Sequence, residues 1–189
     1  MSHLNSVRRL RRTNIDTTTY GNLRQNMKTG DCIAFSGSGL FSRAIQWVTK
    51  SPYSHVGLVV RLPQGGEHEV FLLHAILGQG VVLLPLSRSL GQHQGMAWWA
   101  QMDHTLAATI NPTYQADLTR YAMAQLGRSY DLKGVLQFVV PWVKASATAN
   151  FCSEMAAESF KAAKLMSETF VSPAQFLRHG IFLPTVSLA

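Results

Sequence analysis

Among the residues able to do covalent chemistry, Cys152 and His55 stand out by context. Cys152 lies in Asn150-Phe151-Cys152-Ser153-Glu154-Met155-Ala156, where Asn150 is a good N-cap, so the cysteine falls in the first turn of a helix. Unsatisfied N–H groups and the positive end of the helix dipole lower a thiol pKa from about 8.5 toward neutrality there, and the same N–H groups can hold an oxyanion. The rival reading is a buried cysteine that fills core space, and a nearby base decides between the two.

His55 opens His55-Val56-Gly57-Leu58-Val59-Val60, a strand by its β-branched residues, and His74 lies on the next apolar strand, Glu69 to Ile76. A period of two puts His55, Gly57 and Val59 on one face, and Val70, Leu72 and His74 on one face of the following strand. A hairpin centred between Gln64 and Gly65, within Pro63-Gln64-Gly65-Gly66, sets His55 directly opposite His74, about 5 Å away. His74 then hydrogen-bonds one ring nitrogen of His55, fixes its tautomer and leaves the other nitrogen for a thiol. Nucleophile, base and orienter are the roles of a hydrolase triad, in whatever order the chain supplies them. Read singly, each histidine is a partly buried polar residue satisfied by backbone. The remaining histidines, His3, His68, His93, His104 and His179, fall in tail, loop or strand-edge contexts and receive no role.

Cys32 sits mid-strand between Asp31 and Ile33, with no helix start to activate it, and reads as an inert core residue. Cys32, His55, His74 and Cys152 lack the close paired spacing of structural zinc sites, so neither a metal nor any other cofactor is expected.

These residues need elements to position them. The 189 residues suit one domain, and an apolar fraction of 47% with a charged fraction of 14% describes a globular chain. Residues 1–20 read as a basic, flexible arm and residues 21–189 as a single catalytic domain. Arg8, Arg9, Arg11 and Arg12 supply more than half of the net charge of +7. Such an arm is either a solvated run or a contact for an anionic membrane surface, and no motif for specific nucleic acid follows it. The sequence shows neither a secretory leader nor a membrane span, which leads to the expectation of a cytoplasmic protein with free thiols; export by a dedicated secretion system is compatible with this.

Strands come first and helices last. Asp31-Cys32-Ile33-Ala34-Phe35 reads as a strand, Leu40 to Lys50 as a helix, and Ser51-Pro52-Tyr53-Ser54 as a turn. The strands from His55 and Glu69, with Val81 to Leu84 and Met96 to Met102, suggest a meandering antiparallel sheet. Three helices are predicted over Tyr114 to Leu126, Leu132 to Lys144 and Phe151 to Leu165. The class is therefore α+β, an antiparallel sheet packed against helices. Trp98, Trp99 and the apolar helix from Leu132 either line a pocket for an acyl chain or form ordinary core.

Four stretches carry a resemblance: Gly30-Asp31-Cys32-Ile33-Ala34-Phe35, Tyr53-Ser54-His55-Val56-Gly57-Leu58-Val59, Gly127-Arg128-Ser129-Tyr130-Asp131 and Phe151-Cys152-Ser153-Glu154. In this order they resemble the circularly permuted branch of the NlpC-type papain-like amidases, the YiiX/YaeF-like group related to lecithin:retinol acyltransferase-like enzymes. The resemblance implies a circularly permuted papain-like fold, a nucleophile at Cys152, a base at His55 and a polar third residue at His74. Many permuted relatives carry Glu at that third position; a neutral histidine orients an imidazolium but does not stabilise it by charge. Tyr130 and Ser153 stand as residues for the oxyanion or for placing substrate, Tyr130 being equally a packed aromatic. The expected function is a cysteine-dependent hydrolase that cleaves an amide bond in a small peptide-like or cell-wall-derived substrate through a thioester. The alternatives are a lipid-directed thioester hydrolase or acyltransferase with an acylated substrate, and a non-catalytic binding module on the same fold.

Overall fold

A computed structural model of the chain describes residues 17–63, 69–76, 78–128, 151–168 and 172–188. In chain order the described elements are α1 (Thr17–Leu23), β1 (Cys32–Gly37), α2 (Leu40–Thr49), β2 (His55–Leu62), β3 (Glu69–Ile76), β4 (Gly80–Pro85), α3 (Leu86–Gln92), β5 (Gly95–Ala100), α4 (His104–Ile110), α5 (Tyr114–Ala124), α6 (Phe151–Ala162), α7 (Pro173–Leu177) and β6 (Val186–Ser187). Helix α1 crosses the expected boundary at residue 20, and Tyr20 is buried against the core, so the folded region reaches back at least to Thr17. The arginines of the arm and the helix expected from Leu132 lie outside the described residues. Among the described residues no helix is long and apolar enough to cross a membrane.

The six strands form one antiparallel sheet in the order β4-β3-β2-β1-β5-β6. This corrects the expected meander. β5 does not follow β4 in space; the chain crosses over through α3 and returns on the far side of β1, pairing Cys32 with Ala100 and Gly37 with Gly95. At Gly95 the backbone has φ +153°, and a Cβ there would lie 1.8 Å from the Ser36 carbonyl oxygen, so only glycine allows this close return.

Period-two alternation sorts the side chains into two cores, one on each face. Cys32, Ala34, Val56, Leu58 and Leu73 face α5, α6 and α7, while Ile33, Phe35, Val59 and Leu72 face α3, where they meet Leu86 and Leu90. Burial on both sides explains why β2 reads as a near-continuous apolar run. The outer edge of β4 is covered in part: Val81 exchanges two backbone hydrogen bonds with Gly127 and Arg128.

One buried carboxylate ties the far end of the sheet together. Asp31, fully buried, accepts from Lys28 N, Trp99 Nε1, Met102 N and His104 Nε2 at 2.8–3.0 Å. Four donors match the acceptor capacity of an ionised carboxylate, which is how a charge survives at such depth. His104 passes the contact on to the Tyr114 hydroxyl at 2.8 Å, joining α4 to α5. Trp99 is thus a core residue with its N–H satisfied, and Trp98 packs edge-on to Tyr53; neither lines the cavity described next.

Candidate active site

Beyond the α3 face of the sheet lies a cavity of about 430 Å³, and Cys152, His55 and His74 all line it. His55 is held by its neighbours. Ser54, buried just before it, donates its hydroxyl to the Phe35 carbonyl at 3.2 Å and accepts from Gly37 N at 3.0 Å, which fixes the start of β2 on β1. Phe35, paired with His55 across the strands, stacks beside both His55 and His74.

The β2–β3 register differs from the expected one. Leu58 pairs with Leu73 and Leu62 with Glu69, a register displaced by two positions from the one that sets His55 opposite His74. Continuing that ladder brings Gly57, not His55, opposite His74. A displacement of two positions preserves the face, whereas a displacement of one would have sent His74 to the other side of the sheet. The two imidazoles therefore meet diagonally: His55 Nε2 lies 3.3 Å from His74 Nδ1. Gly57 makes this possible, because a Cβ there would come within 3.1 Å of His74 Cβ and 2.8 Å of Leu72 Cδ1.

The contact constrains the protons. Only one can lie between His55 Nε2 and His74 Nδ1. If His55 donates it, His55 Nδ1 becomes a free acceptor able to take a thiol proton, and His74 must carry its own proton on Nε2. His74 Nε2 is buried with no hydrogen-bond partner among the described residues. Burial pushes the His55 pKa down to about 3, helped by the neighbouring His74 and His93, and burial alone pushes His74 down to about 4. Both rings are neutral around pH 7.

Cys152 is the second residue of α6, as the sequence predicts, and is 6% exposed. Asn150, its expected cap, lies outside the described residues. The cysteine belongs to the core on the α6 face, while His55 and His74 stand on the opposite face. The three share a cavity at the end of the β2–β3 ladder, which stops at Leu58 and Leu73. There the backbone N–H groups of Val56, Ser153 and Cys152 itself stabilise the sulfur. The expectation of a lowered thiol pKa is corrected. Desolvation outweighs those three donors and holds the Cys152 thiol above its ordinary value. A neutral thiol and neutral imidazoles thus line one cavity.

Ser153 is fully buried and its side chain is not part of the cavity lining, so what it brings to the sulfur is its backbone N–H. Tyr130 lies outside the described residues. Cys32, fully buried, has its thiol pushed well above the ordinary range by burial and the adjacent Asp31 charge, in keeping with an inert core residue. His93, which sequence reasoning passed over, also lines the cavity: it follows α3, packs edge-on to Phe35 at 4.8 Å and places Nε2 3.1 Å from the Ser36 carbonyl. Its only local signal is the Gly95 two residues on, whose meaning depends on a strand pairing remote in sequence.

No protein-family model and no curated protein sequence matches the chain. Among solved structures, the chain is similar to the metalloprotein YiiX from Escherichia coli O157:H7, a DUF1105 protein, with a TM-score of 0.62 and 21% sequence identity. The match covers 84% of this chain and 96% of that one. It establishes a shared α+β fold, consistent with a YiiX-like group.

Proposed function

We propose that the protein is a cysteine-dependent hydrolase that cleaves an amide bond of a peptide-like or cell-wall-derived substrate through a thioester, on a circularly permuted papain-like fold. The observation that carries the reading is the convergence of Cys152, His55 and His74 on one cavity, with His55 Nδ1 left free by the 3.3 Å contact between the imidazoles. In the first half-reaction His55 Nδ1 takes the thiol proton as the sulfur bonds to the carbonyl carbon. The backbone N–H groups at the start of α6 face the developing oxyanion. Collapse breaks the C–N bond, and His55 returns the proton to the leaving nitrogen. Water then attacks the thioester, giving its proton through His55 to the departing sulfur.

A second reading has its own support. Phe35, Ile45, Ile76 and Leu84 make much of the cavity wall apolar, which suits an acyl chain and a lipid-directed hydrolase or acyltransferase. In that case an amine or alcohol replaces water in the second half-reaction.

The fold neighbour is a metalloprotein. Among the described residues of this chain, no three His, Cys, Asp or Glu side chains gather in a way that could hold a metal ion.

A thiol-directed activity probe tests the proposal. Wild type is expected to be labelled, Cys152→Ala not at all, and His55→Ala at least about tenfold more slowly. Equal labelling of wild type and Cys152→Ala, or of neither, would leave the binding-module alternative in place of the enzyme.

A further inference from the structure

Helix α2 carries its apolar residues on two sides. Ile45 is buried and, with Ser42, lines the cavity, so the inner face has its partners. The outer face presents Leu40 and Trp47, seven residues apart and hence stacked along the helix, with Val48 beside them. These three are 87%, 82% and 49% exposed. An apolar group of this size on a ten-residue helix is not the scatter of single apolar residues found on ordinary surfaces.

Charge identifies what fits it. Arg43, on the helix, and Lys50, the left-handed residue that caps its C-terminus, are both exposed. Cys32–Leu62 and Gly80–Ala100 supply α2, α3 and most of the cavity wall, His74, Ala75, Ile76 and Cys152 apart, and neither stretch contains a single Asp or Glu. Together they carry Arg43, Lys50, Arg61 and Arg88; Arg61, at the far end of β2, donates to the Arg24, Gln25 and Met27 carbonyls, which leaves Arg43 and Lys50 as the cations of α2. The cation field around α2 is therefore unopposed from within its own segments. A convex helix face with Trp and Leu at its centre and cations at its edge needs no shaped groove in its partner. That combination matches the headgroup region of an anionic bilayer, where tryptophan is favoured and each basic residue gains from phosphate.

We propose that α2 docks the protein on anionic lipid membrane, with Leu40, Trp47 and Val48 entering the headgroup–acyl boundary and Arg43 and Lys50 pairing with lipid phosphates. Because Ser42 and Ile45 of the same helix line the cavity, docking holds the cavity about one helix diameter from the bilayer. The proposal goes beyond the chemistry of Cys152 and does not depend on it.

The test is co-sedimentation of the full chain with vesicles of mixed phosphatidylglycerol and phosphatidylcholine, against vesicles of phosphatidylcholine alone. Binding is expected to the anionic vesicles only, to weaken with salt, and to fall about tenfold or more in Leu40→Glu/Trp47→Glu and in Arg43→Glu/Lys50→Glu. Brominated acyl chains should quench tryptophan emission in wild type and fail to do so in Trp47→Phe. Cys152→Ala should bind as wild type does, which separates this inference from the catalytic one. Absence of binding to the anionic vesicles would overturn the proposal, as would undiminished binding in Leu40→Glu/Trp47→Glu. So would self-association without vesicle binding that Leu40→Glu/Trp47→Glu abolishes, which would make α2 a contact between two copies.

Discussion

At the scale of single residues, the distinctive feature is a histidine where a carboxylate would be the stronger partner. His74 meets His55 through the 3.3 Å contact but brings no negative charge, and burial takes both imidazole pKa values far below the usual 6.5. With the Cys152 thiol raised as well, a preformed thiolate–imidazolium pair is disfavoured, and in the proposed mechanism His55 takes the proton during attack. The alkylation rate of Cys152 by iodoacetamide, followed in a Cys32→Ala background, should therefore climb through the alkaline range with no plateau near neutrality. His74→Glu supplies the missing charge, raises the basicity of His55 and should move the profile about one pH unit or more toward acid. A wild-type plateau reaching below about pH 6 would contradict this electrostatic account. Cys152 and His55 were legible because their signals are local: a cysteine after a capping residue, and a histidine at the head of a β-branched run. His93 was not, because only the folding of α3 over β1 brings it to the cavity.

The elements show why the expected pairing was right in face and wrong in register. Side-chain parity is written into the alternation of β2 and β3, so His55 and His74 share a face for any even displacement. Register depends on the turn, and the Pro63–Gly66 stretch offers more than one centre for it. The consequence falls on Gly57, which becomes the cross-strand neighbour of His74. Gly57→Ala should displace Leu72 and His74 together, costing about 1–3 kcal/mol in a denaturant melt and slowing probe labelling of Cys152. Unchanged stability and labelling would show that the close approach at Gly57 is not what seats His74. The crossover of β5 to β1 was illegible for a different reason: sequence-adjacent strands pair more often than not, and nothing short-range marks the exception. The short helices α3 and α4 hold too few residues to show a helical period.

At the scale of the whole molecule, the neutral buried histidines link stability to pH. The unfolded chain binds protons at these imidazoles near pH 6.5, whereas the folded chain does so only near pH 4 and pH 3. The folded state therefore has full stability above about pH 6.5 and loses it progressively as pH falls toward those values. Each imidazole contributes a loss on the order of 2 kcal/mol by pH 5, measurable as a lower denaturant midpoint that His55→Ala partly removes. The α+β class and the order of most elements could be read from the sequence, since both follow from local periodicity, while the sheet order could not. A sheet with one core on each face and a cavity where a strand ladder ends lets a thiol on α6 and histidines from the opposite face line one space. The most direct test of that arrangement is intact-mass spectrometry of the protein offered short peptide amides and acyl esters side by side. The account predicts an acyl group on Cys152, released by hydroxylamine and absent from Cys152→Ala; turnover by Cys152→Ala at the wild-type rate would contradict it.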